Sequence, residues 1–488
     1  MARIAFDNEL YIQSQSAHIR NRIDTFGGKL YLEFGGKLYD DNHASRVLPG
    51  FQPDSKLRML LQLKDKVEMV IAINAADIEK NKIRGDLGIT YDRDVIRLID
   101  VFRSFGLYVS SVVLTRFHEK DITRAFQARL ESVGVKVYHH YDIEGYPSDI
   151  GRIVSDEGYG RNDFIETTRQ LVVVTAPGPG SGKLATCMSQ LYHEHKRGVK
   201  AGYAKFETFP VWNLPLNHPV NLAYEAATAD LSDVNMIDPF QLEAYGETTV
   251  NYNRDVEAFP VLVAMFERIL GKCPYKSPTD MGVNMVGNCI VDDEAACEAS
   301  RQEILRRYYE ALCHQKQGKA GDAEVLKLEL LMKKAGVSVD DRKVVKPALE
   351  KAEQTGKPAA AMELPDGRII TGKTSSLLGA SSALLLNALK ALGDISDDMH
   401  LISPKVIDPI QHLKVDHLGN RNPRLHTDEV LVALSISAAT DPTAEKAMEQ
   451  LGKLRGCQVH SSVILAEVDE KVFKRLGVQL TCQPRFKG

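Results

Sequence analysis

The sequence predicts an α/β protein built on a doubly wound, mostly parallel sheet, followed by a helical subdomain and a second, smaller α/β domain. Three observations lead to this fold class. Short apolar runs alternate with helical periodicity between residues 67 and 207, residues 292–353 are rich in helix formers, and the alternation resumes after Gly356. Strands that alternate with helices of this length favour crossover connections and a parallel sheet.

The first half of the chain contains the elements of this sheet in order. A tandem FGGKLY repeat at 26–39 predicts short strands with tight turns, as in a hairpin. Glycine follows the periodic stretches at 106 and 134, which is typical of helix C-termini. The predicted strands are 67–73, 107–117, 135–143, 171–177 and 201–207, and the predicted helices are 91–106, 119–134 and 184–197.

An irregular region follows the last of these strands. Residues 208–290 are rich in Pro, Asn and Asp, and long loops of this kind often hold ligand contacts at the carboxyl ends of parallel strands. Further on, we predict a hairpin over 359–364 and 368–372, a buried helix at 374–392, a helix at 443–454, and apolar runs at 429–437 and 459–468. We therefore expect an α/β domain with a glycine-rich phosphate loop at 1–290, a helical subdomain at 291–355 and a C-terminal α/β domain at 356–488.

Composition excludes several classes of partner. The 488 residues are 44% hydrophobic and 26% charged, with a formal net charge of −4. Such a balance gives no general attraction to nucleic acid or anionic membranes. No apolar run reaches the roughly 18 residues of a membrane span, and the start MARIAFDNELYIQSQ lacks the apolar block of a signal peptide. We expect a cytoplasmic protein without nucleic-acid or membrane partners, and homo-oligomerisation through the helical subdomain is a further hypothesis.

Cysteine and histidine spacing gives no metal signature. The seven cysteines are widely spaced and form no C-x-x-C, which favours reduced thiols over disulfides or a thiolate zinc site. The densest histidine region, 400–428, also lacks the spacing of a ligand set, because His412 and His417 are five residues apart. We predict no metal site from these patterns.

A glycine-rich stretch carries the main functional hypothesis. VVVTAPGPGSGKLATC, at 172–187, reads as a buried strand, a glycine loop and a helix, although Pro177 and Leu184 break the pattern G-x-x-x-x-G-K-[ST]. In such loops, backbone amides, the helix N-terminus and the lysine bind phosphate. Leucine cannot ligate Mg²⁺ as a hydroxyl does, so the magnesium requirement stays open. The predicted cofactor-binding residues are Gly178, Gly180, Ser181, Gly182, Lys183 and Thr186.

A second stretch, GRIITGKT at 367–374, matches the same pattern letter for letter. Its β-branched residues resist a tight loop, and Pro365-Asp366-Gly367 is a turn. We therefore predict a hairpin followed by a helix cap, with an anion site at Lys373 and Thr374 as the alternative.

Long segments of the chain resemble a known bacterial family. APGPGSGK at 176–183, AGYAKFETFPVWNLPLNHPVNLAYEAATADL at 201–231, and LPDGRIITGKTS at 364–375 are similar to the family of domain of unknown function 1846, also called uncharacterised protein family 0371. The resemblance covers essentially the whole chain. It implies a family but no mechanism.

The remaining functional residues are predicted from their places near strand ends and in the irregular region. The candidate catalytic residues are Lys183, Arg254 and Asp238. Arg254 suits phosphate oxygens through its planar guanidinium, and the carboxylate of Asp238 could hold a metal. The ligand would be a phosphorylated small molecule, with ATP or another nucleotide as the cofactor. Substrate candidates are Arg46, Lys205, Glu207, Asp255, Asp280, Lys373 and Thr374.

Three functions are compatible with these residues. The first is an enzyme that transfers a phosphoryl or nucleotidyl group, or uses ATP to activate a substrate. The second is a non-catalytic sensor of a phosphorylated metabolite or nucleotide, which Leu184 favours. The third is a hydrolase with its site in the C-terminal domain, at 373–376 or among the histidines and aspartates of 400–428.

Overall fold

The computed structural model describes residues 3–85, 87–231 and 233–486. The chain divides into two compact units. The larger unit comprises Ile4–Glu225 and Ser232–Cys297, and the smaller comprises Glu298–Gly488 with the short segments Met1–Arg3 and Ala226–Leu231. Most of the helical segment expected as a separate subdomain therefore groups with the C-terminal residues.

The larger unit is organised around a seven-stranded sheet in the order β11-β8-β1-β7-β2-β5-β6, and every pair of neighbours is parallel. This confirms the predicted α/β class with a parallel sheet. Two short antiparallel pairs, β3 with β4 and β9 with β10, lie outside it. The strands of the larger unit are β1 Leu30–Phe34, β2 Val67–Asn74, β3 Ile83–Arg84, β4 Ile89–Thr90, β5 Tyr108–Thr115, β6 Lys136–His139, β7 Leu171–Thr175, β8 Gly202–Phe206, β9 Asn235–Ile237, β10 Val250–Tyr252 and β11 Gly282–Val283.

Helices cover both faces of this sheet. The Tyr203 ring contacts Phe266 of the helix Asn253–Leu270, whereas Phe206, three residues along the same strand, lies beneath Lys56 of the helix Ser55–Leu61 on the opposite face. Because both faces are covered, the central strands β1, β2 and β7 are buried along their whole length. The helices that begin in this unit are α1 Asn8–Thr25, α2 Asn42–Val47, α3 Ser55–Leu61, α4 Ala75–Glu79, α5 Tyr91–Ser104, α6 Asp121–Ser132, α7 Ile150–Ile153, α8 Lys183–Lys196, α9 Pro219–Ala227, α10 Pro239–Tyr245, α11 Asn253–Leu270, α12 Pro278–Met281 and α13 Asp293–Lys316.

The smaller unit contains a four-stranded mixed sheet in the order β13-β12-β14-β15. Only β14 and β15 pair in parallel. Its core includes Leu384, Leu389, Leu434 and Phe473, which are fully buried. The strands are β12 Ala359–Glu363, β13 Ile369–Lys373, β14 Gln458–Ser461 and β15 Gln479–Cys482, and the helices are α14 Asp322–Ala335, α15 Val345–Thr355, α16 Ala380–Leu392, α17 Pro404–His412, α18 Thr427–Ala438, α19 Pro442–Met448 and α20 Glu467–Arg475.

Two elements of the larger unit differ from the sequence prediction. The FGGKLY repeat does not form a hairpin, because β1 is a central strand that pairs in parallel with β7 and β8. The region 208–290 is more regular than predicted, since it contains the 18-residue helix α11 with Pro260 inside it. Tertiary packing outweighs the local turn and proline signals at both places.

In the smaller unit, the structure assigns one apolar run to a helix and shifts the start of another helix. The apolar run 429–437 is helical and lies within α18. The buried helix expected from residue 374 begins at Ala380, because the residues before it form a turn in which the Ser375 hydroxyl accepts from the amides of Leu377 and Leu378. Across the described ranges, no helix combines the length and apolar character that a membrane span requires.

Candidate functional site

The glycine loop follows β7 and is held by polar side chains from the ends of two other strands. Asn74, the last residue of β2, donates to the Gly180 carbonyl at 3.3 Å. Thr115, the last residue of β5, donates to the Ser181 carbonyl at 2.8 Å. The Ser181 hydroxyl in turn donates to the Gly178 carbonyl at 2.9 Å. Three loop carbonyls are thereby fixed, and the conformation of the loop is fixed with them.

Most backbone amides of the same loop find no acceptor among the described residues. Within the described part of the chain, the backbone N–H groups of Gly178 and of residues 180–185 have no hydrogen-bond acceptor. The first amide after them that finds one belongs to Thr186, which donates to the Gly182 carbonyl at 2.9 Å. A row of unpaired amides at the start of a helix, with the positive end of the helix dipole behind it, is suited to an anion.

Each of the three glycines has its own structural requirement. Gly180 and Gly182 have φ values of +75° and +85°, a backbone region that side chains with a Cβ rarely adopt. A Cβ on Gly178 would lie 2.2 Å from the hydroxyl oxygen of Tyr91. The loop can therefore be built only from glycine at these positions without strain or displacement of its neighbours.

Lys183 is the first residue of α8 and is half-buried beside the loop. Among the described residues, its ammonium group makes no ion pair or hydrogen bond. Burial lowers the pKa of Lys183, the Glu33 carboxylate opposes that shift, and the positive charges of Lys205 and Arg254 add to it. The lysine therefore lies in the electrostatic field of groups on β1, β8 and α11, and an anion at the loop would oppose the lowering of its pKa further.

A buried set of ionisable groups lies at the end of β8, and we call Lys205, Glu207, Tyr252 and Asp255 the acid–base group. The Lys205 ammonium contacts Glu207 Oε1 at 2.8 Å and forms an ion pair with Asp255. The Tyr252 hydroxyl donates to Glu207 Oε1 at 2.5 Å. The side chains of Lys205, Glu207 and Asp255 are 12%, 7% and 14% exposed. Lys205 is thus paired with two carboxylates, those of Glu207 and Asp255, in a site largely shielded from water.

The charges of the acid–base group change its proton affinities. Burial raises the pKa of Glu207 to about 7, with the Asp255 carboxylate adding to the rise and Lys205 opposing it. The two carboxylates hold the pKa of Lys205 above its usual range, against the effect of burial. A carboxyl group with a pKa near neutrality can give or take a proton at physiological pH.

Arg254 lies beside this group but is already paired. Its guanidinium contacts both carboxylate oxygens of Asp233, at 2.7 and 2.8 Å, and lies 5.4 Å from the centre of the Tyr252 ring. The Asp233 side chain is 2% exposed, whereas that of Arg254 is 52% exposed. Asp233 therefore orients Arg254 and leaves half of its surface open to a ligand.

Two predicted site residues have structural roles instead. Asp238 is fully buried, and it caps α10 by accepting from the amides of Phe240 and Gln241 at 3.0 and 3.1 Å. Its other oxygen accepts from the Thr279 hydroxyl at 2.7 Å. Asp280 accepts from the Tyr245 hydroxyl and from the Lys276 amide, both at 3.1 Å. Within the described ranges, neither carboxylate has a hydrogen bond or ion pair to the loop or the acid–base group, and Asp238 caps α10.

The loop offers no hydroxyl in the place where a magnesium ligand usually stands. Leu184 packs against the apolar core on the α8 side of the sheet. The Thr186 hydroxyl, predicted to bind cofactor, is buried and donates to the Gly182 carbonyl at 2.9 Å, inside its own helix. The Thr186 hydroxyl is therefore engaged at the start of its own helix.

The remaining predicted residues lie elsewhere. Arg46 is half-buried in α2 of the larger unit. Lys373 ends β13 in the smaller unit, and the Thr374 amide donates to the Pro358 carbonyl at 2.9 Å. A Cβ on Gly372 would lie 2.2 Å from the Leu384 amide nitrogen, so the backbone there is packed against α16. The stretch 367–374 contains β13, the second strand of the predicted hairpin with β12, and it does not form a strand–loop–helix unit.

Several residues around the loop escaped the sequence prediction: Glu33, Asn74, Tyr91, Thr115, Asp233 and Tyr252. Asn74 and Thr115 follow buried apolar runs directly, and polar residues at the ends of predicted parallel strands are a usable signal. Glu33 is a carboxylate inside an otherwise apolar strand, which is a second signal. Tyr91, Asp233 and Tyr252 carry no such mark, because only the packing brings them to the site.

Comparison with known proteins identifies the family. Residues 4–336 match "Domain of unknown function DUF1846, N-terminal", and residues 340–488 match "Domain of unknown function DUF1846, C-terminal". A "UPF0371 protein" of Streptococcus pneumoniae (strain P1031) is 59% identical over 487 residues, covering 100% of this chain and 99% of the relative. One of Corynebacterium diphtheriae is 61% identical over 485 residues, covering 99% and 98%. The chain therefore belongs to the DUF1846 family.

Proposed function

We propose that the larger unit is an enzyme that binds the phosphate of a nucleotide or another phosphorylated small molecule at the glycine loop. The observation that carries the proposal is the run of unpaired amides at Gly178 and 180–185, beside a lysine with no carboxylate partner in the described residues. Converging amides and a lysine are the two components of a phosphate site on a strand–loop–helix unit. The loop also stands at the carboxyl edge of a parallel sheet, where ligands of such folds bind.

The acid–base group supplies the chemistry in this proposal. Lys205, Glu207 and Asp255 lie at the end of β8, and Lys205 and Arg254 act electrostatically on Lys183. Positive charge from Lys183 and the open face of Arg254 would neutralise a transferring phosphoryl or nucleotidyl group. Glu207, with a pKa near 7, would exchange the proton of the attacking or leaving group. The reaction class is phosphoryl or nucleotidyl transfer, or ATP-dependent activation of a substrate.

The second candidate function is a sensor that binds the same ligand without turnover. One observation favours it: Leu184 occupies the usual position of the magnesium-binding hydroxyl, and the Thr186 hydroxyl is engaged within its helix. Both functions share the phosphate site and differ only in whether the acid–base group reacts.

Thermal stabilisation by ligands tests the shared site. The probes are inorganic phosphate, ATP and GTP, each with and without Mg²⁺. We expect at least one to raise the unfolding temperature of the native chain, since a ligand that binds only the folded state stabilises it. The rise should disappear in Lys183→Ala. It should persist in Lys196→Ala, which removes a lysine from the other end of α8. It should also persist in Lys373→Ala, which removes the lysine of the second stretch that matches the phosphate-loop pattern, 367–374.

The outcomes separate the candidates. Stabilisation that survives in Lys183→Ala, or no stabilisation by any probe, contradicts phosphate binding at this loop. Binding with release of a labelled phosphoryl or nucleotidyl group supports the enzyme, whereas magnesium-independent binding without turnover supports the sensor.

A further inference from the structure

Three side chains with metal-binding atoms meet at a second place in the larger unit. The nitrogen Nε2 of His218 lies 3.0 Å from Asp293 Oδ1 and 3.5 Å from Cys297 Sγ. Cys297 Sγ lies 3.8 Å from Asp293 Oδ2. All three ligand atoms therefore lie within one metal ion's coordination sphere of one another.

These separations can be compared with those of a tetrahedral zinc site. Bond lengths of about 2.0 Å to nitrogen and oxygen and about 2.3 Å to sulfur place tetrahedral ligand atoms about 3.3 to 3.5 Å apart. His218 Nε2 lies 3.0 Å from Asp293 Oδ1 and 3.5 Å from Cys297 Sγ, and Cys297 Sγ lies 3.8 Å from the other oxygen of Asp293, Oδ2. These values are close to that range, so small side-chain movements would bring the nitrogen, the sulfur and one carboxylate oxygen onto one ion. A thiolate, an imidazole and a carboxylate also form a donor set that zinc accepts.

The backbone holds the three residues in place. Asp293 and Cys297 are four residues apart at the start of α13, so their side chains lie on the same face of the helix. His218 stands directly before α9, and its ring is 10% exposed. The Asp293 side chain is 64% exposed, so an ion can enter from solvent and keep a water as a fourth ligand.

We propose that His218, Asp293 and Cys297 bind one zinc ion, which joins the residues before α9 to the first turns of α13. The sequence predicts no metal site because His218 and Asp293 are 75 positions apart, a spacing that belongs to no short ligand motif. The site is separate from the glycine loop and does not depend on the function proposed for it.

Zinc binding changes the protonation of Cys297 and His218. Zinc displaces the thiol proton of Cys297, which goes to solvent. The ring proton of His218 moves from Nε2 to Nδ1, and the 3.3 Å contact from the Val220 amide to Nδ1 is lost. One proton is released in total, so zinc affinity decreases as the pH falls.

Metal content of the tag-free, full-length chain tests the proposal. After treatment with a chelator, incubation with Zn²⁺ and desalting, we expect about one zinc per chain. Cys297→Ser and Asp293→Asn should each lose the bound zinc. Replacing Zn²⁺ with Co²⁺ should give a thiolate-to-cobalt charge-transfer band in the native chain that is absent in Cys297→Ser.

Two control variants match these ligands in type. His412 and Asp416 form a similar pair, 2.9 Å apart, and no cysteine of the described residues joins them in a three-ligand group. Cys273 is a half-buried thiol whose contact is the Tyr275 carbonyl. His412→Ala and Cys273→Ser should keep the zinc. Failure of the native chain to retain zinc, or retention of it by both Cys297→Ser and Asp293→Asn, would overturn the proposal.

Discussion

Replacing Glu207 by glutamine should change how the stability of the larger unit depends on pH. Glu207 is 7% exposed and shares one cation, Lys205, with Asp255. Burial, together with the Asp255 charge, raises the pKa of Glu207 to about 7 from an ordinary value of 4.5. Glutamine keeps the shape of the protonated acid and removes the proton equilibrium.

The magnitude follows from the two pKa values. A group whose pKa is higher in the folded state contributes stability that is fully present below the unfolded pKa and is lost as the pH rises through the folded pKa. With about 1.4 kcal/mol per pKa unit, the difference between 4.5 and about 7 corresponds to about 3 kcal/mol. Most of this should be lost between about pH 5 and about pH 8. Between about pH 5 and about pH 8, the free energy of unfolding of the native chain should therefore fall by about 3 kcal/mol relative to that of Glu207→Gln.

Urea unfolding followed by tryptophan fluorescence measures the effect. Trp212 is the single tryptophan of the sequence and belongs to the larger unit, so its emission reports the unfolding of that unit. The difference in free energy of unfolding between the native chain and Glu207→Gln is measured at about pH 5 and at about pH 8. Glu166→Gln, which removes an exposed carboxylate paired with Lys136, serves as the control and should show no comparable change.

One result would refute the reasoning. If the stability difference between the native chain and Glu207→Gln stays constant from about pH 5 to about pH 8, Glu207 does not titrate in this interval. Such a result would contradict the acid–base role proposed for Glu207, but it would not bear on the proposal that the loop binds phosphate.

Two further predictions concern packing in each unit. Gly178→Ala should cost about 1 to 3 kcal/mol, because its Cβ would lie 2.2 Å from the Tyr91 hydroxyl. In a double-mutant cycle with Tyr91→Ala the losses should be less than additive, and additive losses would contradict the contact. Arg342 is 1% exposed and donates to Thr481 Oγ1 at 2.9 Å and to the Gln479 carbonyl at 2.7 Å. Arg342→Ala should cost at least about 3 kcal/mol in thermal or urea unfolding of the smaller unit, whereas the exposed Arg368→Ala should change stability by less than about 0.5 kcal/mol.

The sequence alone was sufficient for the α/β class, the parallel sheet and the hairpin that contains most of the 367–374 stretch. These features depend on short-range patterns. The strands β2, β5 and β7 are mostly apolar runs, and the periodic helices α5 and α6 are followed shortly by Gly106 and Gly134. The β-branched residues of 367–374 likewise indicated a hairpin in spite of the matching pattern, and β12 and β13 confirm it.

Only the tertiary structure decided which side chains surround the loop. The order of strands places β7 between β1 and β2, and this order brings Glu33 and Asn74 to the loop from segments more than a hundred residues earlier in the chain. Roles also depended on partners that a sequence does not show. Asp238 and Thr186 are residue types that often bind ligands. In the structure, however, the Asp238 carboxylate accepts from the Gln241 amide, and the Thr186 hydroxyl donates to the Gly182 carbonyl. Periodicity is a local property that the chain encodes residue by residue. The surroundings of a polar atom depend on distant segments, and they exist only once the core has packed.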